Sequence, residues 1–79
     1  MKREEIENKV NETLTDVLGV EQEEIKEGAR LEDDLNCDSL DCVEIIMELE
    51  HELYVNIPDE RADKCVTVKD VYDMVEELV

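Results

Sequence analysis

At 79 residues the chain allows one small domain, 1–79, and leaves no room for a large buried active site. Only 3% of residues are aromatic, with no Trp or Phe, so a core has to come from Leu, Ile, Val and Met, which favours a helical bundle over a β-sandwich. Twenty-five acidic side chains against 8 basic ones give a net charge of -17, which argues against nucleic acid and anionic membranes as partners and favours basic proteins.

Ile6, Val10, Leu14 and Val17 recur at steps of four, four and three, the stripe of an amphipathic helix, and Gly19 is placed to stop it. Glu4, Glu5 and Glu7 suit its positive end. Residues 19–37 form a long connection in which Val20, Ile25, Leu31 and Leu35 are isolated apolar anchors. A connection of this length inside a small domain is uncommon unless it serves a function, so its end, next to Ser39, draws attention.

Asp38 is a good N-cap and Asp41, three residues on, is the acidic partner of a capping box, so a second helix is predicted from Ser39 to about Leu53. Ile57-Pro58-Asp59-Glu60 reads as a restart, with Asp59 predicted to cap a short turn through Lys64. Thr67 and Asp70 form a further cap, leading into Val68, Val71, Val75 and Leu78 of a last helix. The expected class is all-α: a small four-helix bundle with a long first loop and a short third helix.

The second helix carries three stripes. Ile45, Ile46, Leu49 and Leu53 share a face suited to the core, Leu40, Val43 and Met47 make a second apolar stripe, and Asp41, Glu44, Glu48 and Glu52 make an acidic one beyond it. Two readings of the second stripe stand on periodicity alone: a docking surface for a partner with a greasy groove and a basic rim, or a helix buried on two sides by its own domain. The charge is uneven in the same region, with no Lys or Arg between Arg30 and Arg61. High charge with few aromatics also occurs in disordered chains, but 42% hydrophobic residues in helical spacing supply enough apolar surface to fold.

Ser39 sits where unpaired N–H groups and the helix dipole favour an anionic substituent on its oxygen, although Ser and Asp at a helix start are commonly only caps. It does not read as a hydrolase nucleophile. The single His51 lies about three turns further along the same helix, and no Gly-x-Ser-x-Gly elbow surrounds the serine. Asp34, Asn36 and Asp38 imitate the start of an EF-hand loop, but Ser39 stands where Gly is needed and Ile45 where a bidentate Glu is needed. Cys37, Cys42 and Cys65 are an odd number with no apolar signal segment, so the expectation is reduced thiols in a cytoplasmic setting, with neither a disulfide framework nor a metal site.

Asp38-Ser39-Leu40-Asp41, followed by Val43-Glu44-Ile45-Ile46-Met47 and Leu49-Glu50, closely resembles the attachment motif of acyl carrier proteins. Ile57-Pro58-Asp59-Glu60 matches at the family's spacing from the serine, and the similarity extends over essentially the whole chain. The resemblance implies a non-catalytic role, in which a phosphopantetheinyl transferase (holo-acyl carrier protein synthase) moves a 4'-phosphopantetheine arm from coenzyme A to Ser39. Acyl chains are then held as thioesters on the arm. It further implies that Asp38 assists transferase recognition, that Leu40, Val43 and Met47 are apolar docking residues, and that Asp41, Glu44 and Glu48 meet basic residues on ketoacyl synthases and other partners.

The second helix and the Ile57-Pro58-Asp59-Glu60 segment are most similar to the free-standing carriers of fatty-acid synthesis, which act as monomers without integral membrane contact. Polyketide, peptide-synthetase and aminoacyl carriers are the alternatives within the family, and an unmodified acidic interaction or cation-binding module is the alternative outside it. Asn36 stands where the family usually has Gly, a place where a left-handed backbone is tolerated by Asn. Cys37 and Cys42 flank the serine segment, His51 replaces a frequent acid, and Cys65 takes a usually branched aliphatic position.

Overall fold

The computed structural model describes residues 1–79 and contains four α-helices: α1 (Arg3–Leu18), α2 (Ser39–Leu53), α3 (Asp59–Asp63) and α4 (Val68–Leu78). A single 3-10 turn, Gln22–Glu24, interrupts the first loop. No helix is long and apolar enough to cross a membrane. The all-α bundle with a long first loop and a short third helix is the architecture that the patterning predicts.

α1 buries Ile6, Val10 and Leu14, and packs on both α2 and α4. Gly19 ends it in the left-handed conformation at φ 70°, where its N–H donates to the Thr15 carbonyl at 2.9 Å. A residue with a Cβ is strained in that conformation, so glycine is the natural stop. From α2 come Ile45, Leu49 and Leu53, while Ile46 on the same face is only half-buried. α4 contributes Val68, Val71, Tyr72, Met74 and Val75, a wider face than the expected stripe, and Leu78 is half-buried.

The first loop is pinned rather than loose. Its apolar anchors Ile25, Leu31 and Leu35 are buried in the core. Arg30 and Thr67 form an isolated antiparallel bridge, with the Leu31 N–H donating to the Val66 carbonyl at 2.9 Å and the Val68 N–H to the Ala29 carbonyl at 3.0 Å. The Cys37 N–H then donates to the Leu31 carbonyl at 2.8 Å, so the loop folds back on itself just before α2 begins.

Two junctions differ from expectation. Asp59 does not cap α3: Pro58 is the N-cap, without a side-chain hydrogen bond, and Asp59 is the first helical residue. Proline's fixed φ, here -63°, already sets the entry geometry, and Asp59 serves the positive helix end as a first-turn acid. α2 stops at Tyr54, which is left-handed at φ 54° and 94% exposed. An L-residue there costs roughly 1–2 kcal/mol, and no Gly or Asn in the sequence announces the turn.

The start of α4 is capped as predicted. The Asp70 N–H donates to Thr67 Oγ1 at 3.2 Å, while Asp70 Oδ2 accepts from the N–H groups of Thr67 at 3.0 Å and Val66 at 2.9 Å. Those two backbone donors, Thr67 first, hold the Asp70 carboxyl below the ordinary aspartate value, against opposing effects from partial burial and the Asp73 charge. A lowered folded-state pKa means stability that is present above the unfolded value and lost as pH falls through the folded one. Asp70→Ala is therefore expected to cost about 1–2 kcal/mol at neutral pH. In denaturant titrations the gap from the parent should close as pH drops below the ordinary Asp value of 3.8; a gap that persists in acid would assign the loss to packing instead.

Candidate functional site

The site is built where the pinned loop meets α2. Asp38 is the N-cap: its Oδ1 accepts from the Asp41 N–H at 2.9 Å, and its own N–H donates to Asp41 Oδ2 at 3.4 Å. The Cys42 N–H goes to the Asp38 carbonyl at 2.9 Å. The N–H groups of Ser39 and Leu40 make no hydrogen bond within the chain, which leaves them for an anionic group on the serine oxygen. Ser39, the first residue of α2, is exposed, as is Asp38.

Just before the cap, Asn36 is left-handed at φ 58°, which turns the chain from the buried Leu35 out and back to the buried Cys37. This is the conformation anticipated for an Asn in place of a Gly. Cys37 lies against Cys42, sulfur to sulfur at 3.0 Å, beneath the capping box. Burial, with a smaller contribution from Cys42 and the nearby acids, pushes the Cys37 thiol far above its usual range. Burial and the Asp70 charge likewise raise Cys65, to about 11. Neither is therefore an activated thiolate.

A cleft of about 930 Å³ opens beside Ser39 and runs inward between α2 and α3. Asp38, Ser39 and Val43 stand at its outer end, and Ile45, Ile57 and Val71 line it toward the core. Glu50 fixes one wall by accepting the Ile57 N–H at 2.8 Å, which ties the segment before α3 to α2. Sequence periodicity gives no sign of this cleft, because it lies between segments that are remote in sequence.

Leu40, Val43 and Met47 are 81%, 56% and 62% exposed, so the second stripe of α2 is not a second core face. Glu44 and Glu48 are exposed beside it and Asp41 is half-buried; none of these three has a cationic partner. Glu52, in contrast, pairs with Lys9 of α1 at 3.2 Å. His51 is exposed and distant in the helix from Ser39, and no group of three His, Cys, Asp or Glu side chains converges to hold a metal ion.

An exposed serine on a capped helix start, beside an apolar cleft and a solvent-facing apolar stripe, defines a carrier module rather than a catalytic centre. Comparison with known proteins gives the family. A family model described as a phosphopantetheine attachment site matches residues 8–75. The chain is 48% identical over 77 residues to an acyl carrier protein of Rubrobacter xylanophilus, covering 98% of this chain and 95% of the relative. It is 47% identical over 79 residues to an acyl carrier protein of Thermosynechococcus vestitus, covering 100% and 98% respectively. A third acyl carrier protein, from Chlorobium phaeovibrioides, is 45% identical over 75 residues, covering 95% and 96%.

The chain belongs to the acyl carrier protein family. It is a carrier and not an enzyme, and its prosthetic group is covalently attached 4'-phosphopantetheine. That role engages a phosphopantetheinyl transferase and the synthetic enzymes that use the load.

Proposed function

We propose that residues 1–79 act as one carrier domain of fatty-acid synthesis in the cytoplasm, with the arm on Ser39 Oγ. The observation that carries this reading is the exposed Ser39 at the first position of α2, beside free N–H groups and at the mouth of the cleft. A phosphodiester on that oxygen meets the positive end of the helix dipole, and Asp38 holds the turn without occupying the Ser39 and Leu40 donors. When bound, the group supplies a thiol that holds acyl chains as thioesters. The apolar inner wall of the cleft, including Ile45, Ile57 and Val71, suits an alkyl chain folded back from the arm.

On the outside, Leu40, Val43 and Met47 form the apolar part of the docking surface. Asp41, Glu44 and Glu48 supply the charge that steers basic partners such as the transferase and ketoacyl synthases. Asp38 contributes to transferase recognition beside the serine.

Incubation with coenzyme A and a phosphopantetheinyl transferase tests the assignment by mass spectrometry. The parent should gain one phosphopantetheinyl mass, and Ser39→Ala none, while the helical circular-dichroism signal stays near the parent's because an exposed first-turn hydroxyl packs against nothing. A Ser39→Ala protein that still gains the mass would move the attachment elsewhere.

A further inference from the structure

Cys37 and Cys42 are not used by the carrier role, yet they occupy a particular pair of positions. Relative to the cap Asp38, Cys37 precedes it by one residue and Cys42 is the fourth helical residue, the two places whose side chains meet in a hydrophobic staple. Here both staple residues are thiols, 3.0 Å apart, about 1 Å beyond the length of a disulfide bond of about 2.05 Å. Both cysteines are free, and both line the cleft beside Ser39.

We propose that Cys37 and Cys42 form a reversible intramolecular disulfide that replaces the thiol staple by a covalent one around the Ser39 segment. The oxidant is a low-molecular-weight disulfide. The half-buried Cys42, the more accessible of the two, attacks one sulfur of the oxidant as its thiolate, and one small thiol leaves. The buried Cys37 then attacks Cys42 Sγ, losing its proton to solvent and expelling the second small thiol. Two protein thiols are oxidised to one disulfide while one small disulfide is reduced to two thiols.

The bond closes a ring over residues 38–41. It ties the first turn of α2 to Cys37, which the Leu31 carbonyl already holds. Small motions of the cap are thereby restrained, and the proposal does not depend on what Ser39 carries.

Cys65 is the internal control. Its half-buried thiol lines the same cleft but is turned to the Arg61 carbonyl at 3.7 Å and Met74 Sδ at 3.8 Å, with no sulfur contact to Cys37 or Cys42. Trypsin separates it as well: no Lys or Arg lies between Arg30 and Arg61, so Cys37 and Cys42 stay together on peptide 31–61 and Cys65 falls on peptide 65–69.

The test equilibrates the full-length protein, unloaded and loaded in parallel, with mixtures of reduced and oxidised glutathione, followed by iodoacetamide and tryptic mass mapping. With oxidised glutathione in excess, peptide 31–61 should run two hydrogen masses light and take no label, while peptide 65–69 takes one. Cys65→Ser should keep this behaviour and Cys42→Ser should lose it. Two labels on peptide 31–61 under the oxidising mixture, arrest at a glutathione adduct, or a link to peptide 65–69 would each overturn the proposal.

Discussion

A Leu49→Ala protein is expected to lose about 2–5 kcal/mol of folding stability, while Met47→Ala, two residues away on the same helix, loses no more than about 0.5 kcal/mol. Leu49 is fully buried in the core, and its truncation leaves a cavity; Met47 is 62% exposed and leaves none. For a chain of 79 residues the whole folding free energy is roughly 4–12 kcal/mol, so Leu49→Ala removes much of it. Denaturant midpoints measured on both variants at the same moderate salt decide the matter. A midpoint shift for Met47→Ala as large as that for Leu49→Ala would put the second stripe back into the core and take the apolar residues out of the docking surface.

Raising salt from low to moderate concentration is expected to stabilise the fold by about 1–2 kcal/mol, a rise in melting temperature of roughly 4–8 °C for each kcal/mol. Two like charges 10 Å apart in water repel by about 0.4 kcal/mol before screening. Asp41, Glu44 and Glu48 lie together on α2 without cations. Glu44→Lys should raise the low-salt melting temperature and flatten its dependence on salt, while slowing association with a basic partner. A melting temperature that is flat or falls with salt would refute the charge argument. In the proposed carrier role the same side chains weaken the free fold and steer its partners; five of the eight cations, Arg3, Lys9, Arg30, Arg61 and Lys69, pair with other acids instead.

Local chemistry made much of this legible. Gly19, Asp38 with Asp41, and Thr67 with Asp70 are signals that act within three or four residues, and each marks the helix boundary it predicts. Asn36 is another local case, its left-handed backbone following from the residue type. Asp59 misled because two helix-start signals overlap, and the rigid ring of Pro58 took the cap position. Tyr54 could not be foreseen, since its left-handed backbone is one that its residue type does not favour. The bridge from Arg30 to Thr67 and the cleft beside Ser39 depend on pairings across tens of residues, which no periodicity encodes. Burial also settled what spacing left open, that Leu40, Val43 and Met47 face solvent.

α3 gives the cleft one wall of a different mechanical kind from the others. Its five residues are too few to hold a helix by themselves, and no side chain caps its start. What anchors it is the buried Ile57 with its bond to Glu50, the half-buried Ala62, and the Arg61 pair with Glu77 near the end of α4. The opposite wall is the long α2, which packs on α1, buries Ile45 and Leu49 in the core, and is tied to α1 by the Lys9 pair with Glu52. The cleft thus has one side held by a long packed helix and one held by few anchors, and the side with few anchors is the one that opens at lower cost. In the proposed carrier role, loads of different length are then taken up by one short panel, while the frame of α1, α2 and α4 keeps its outer face.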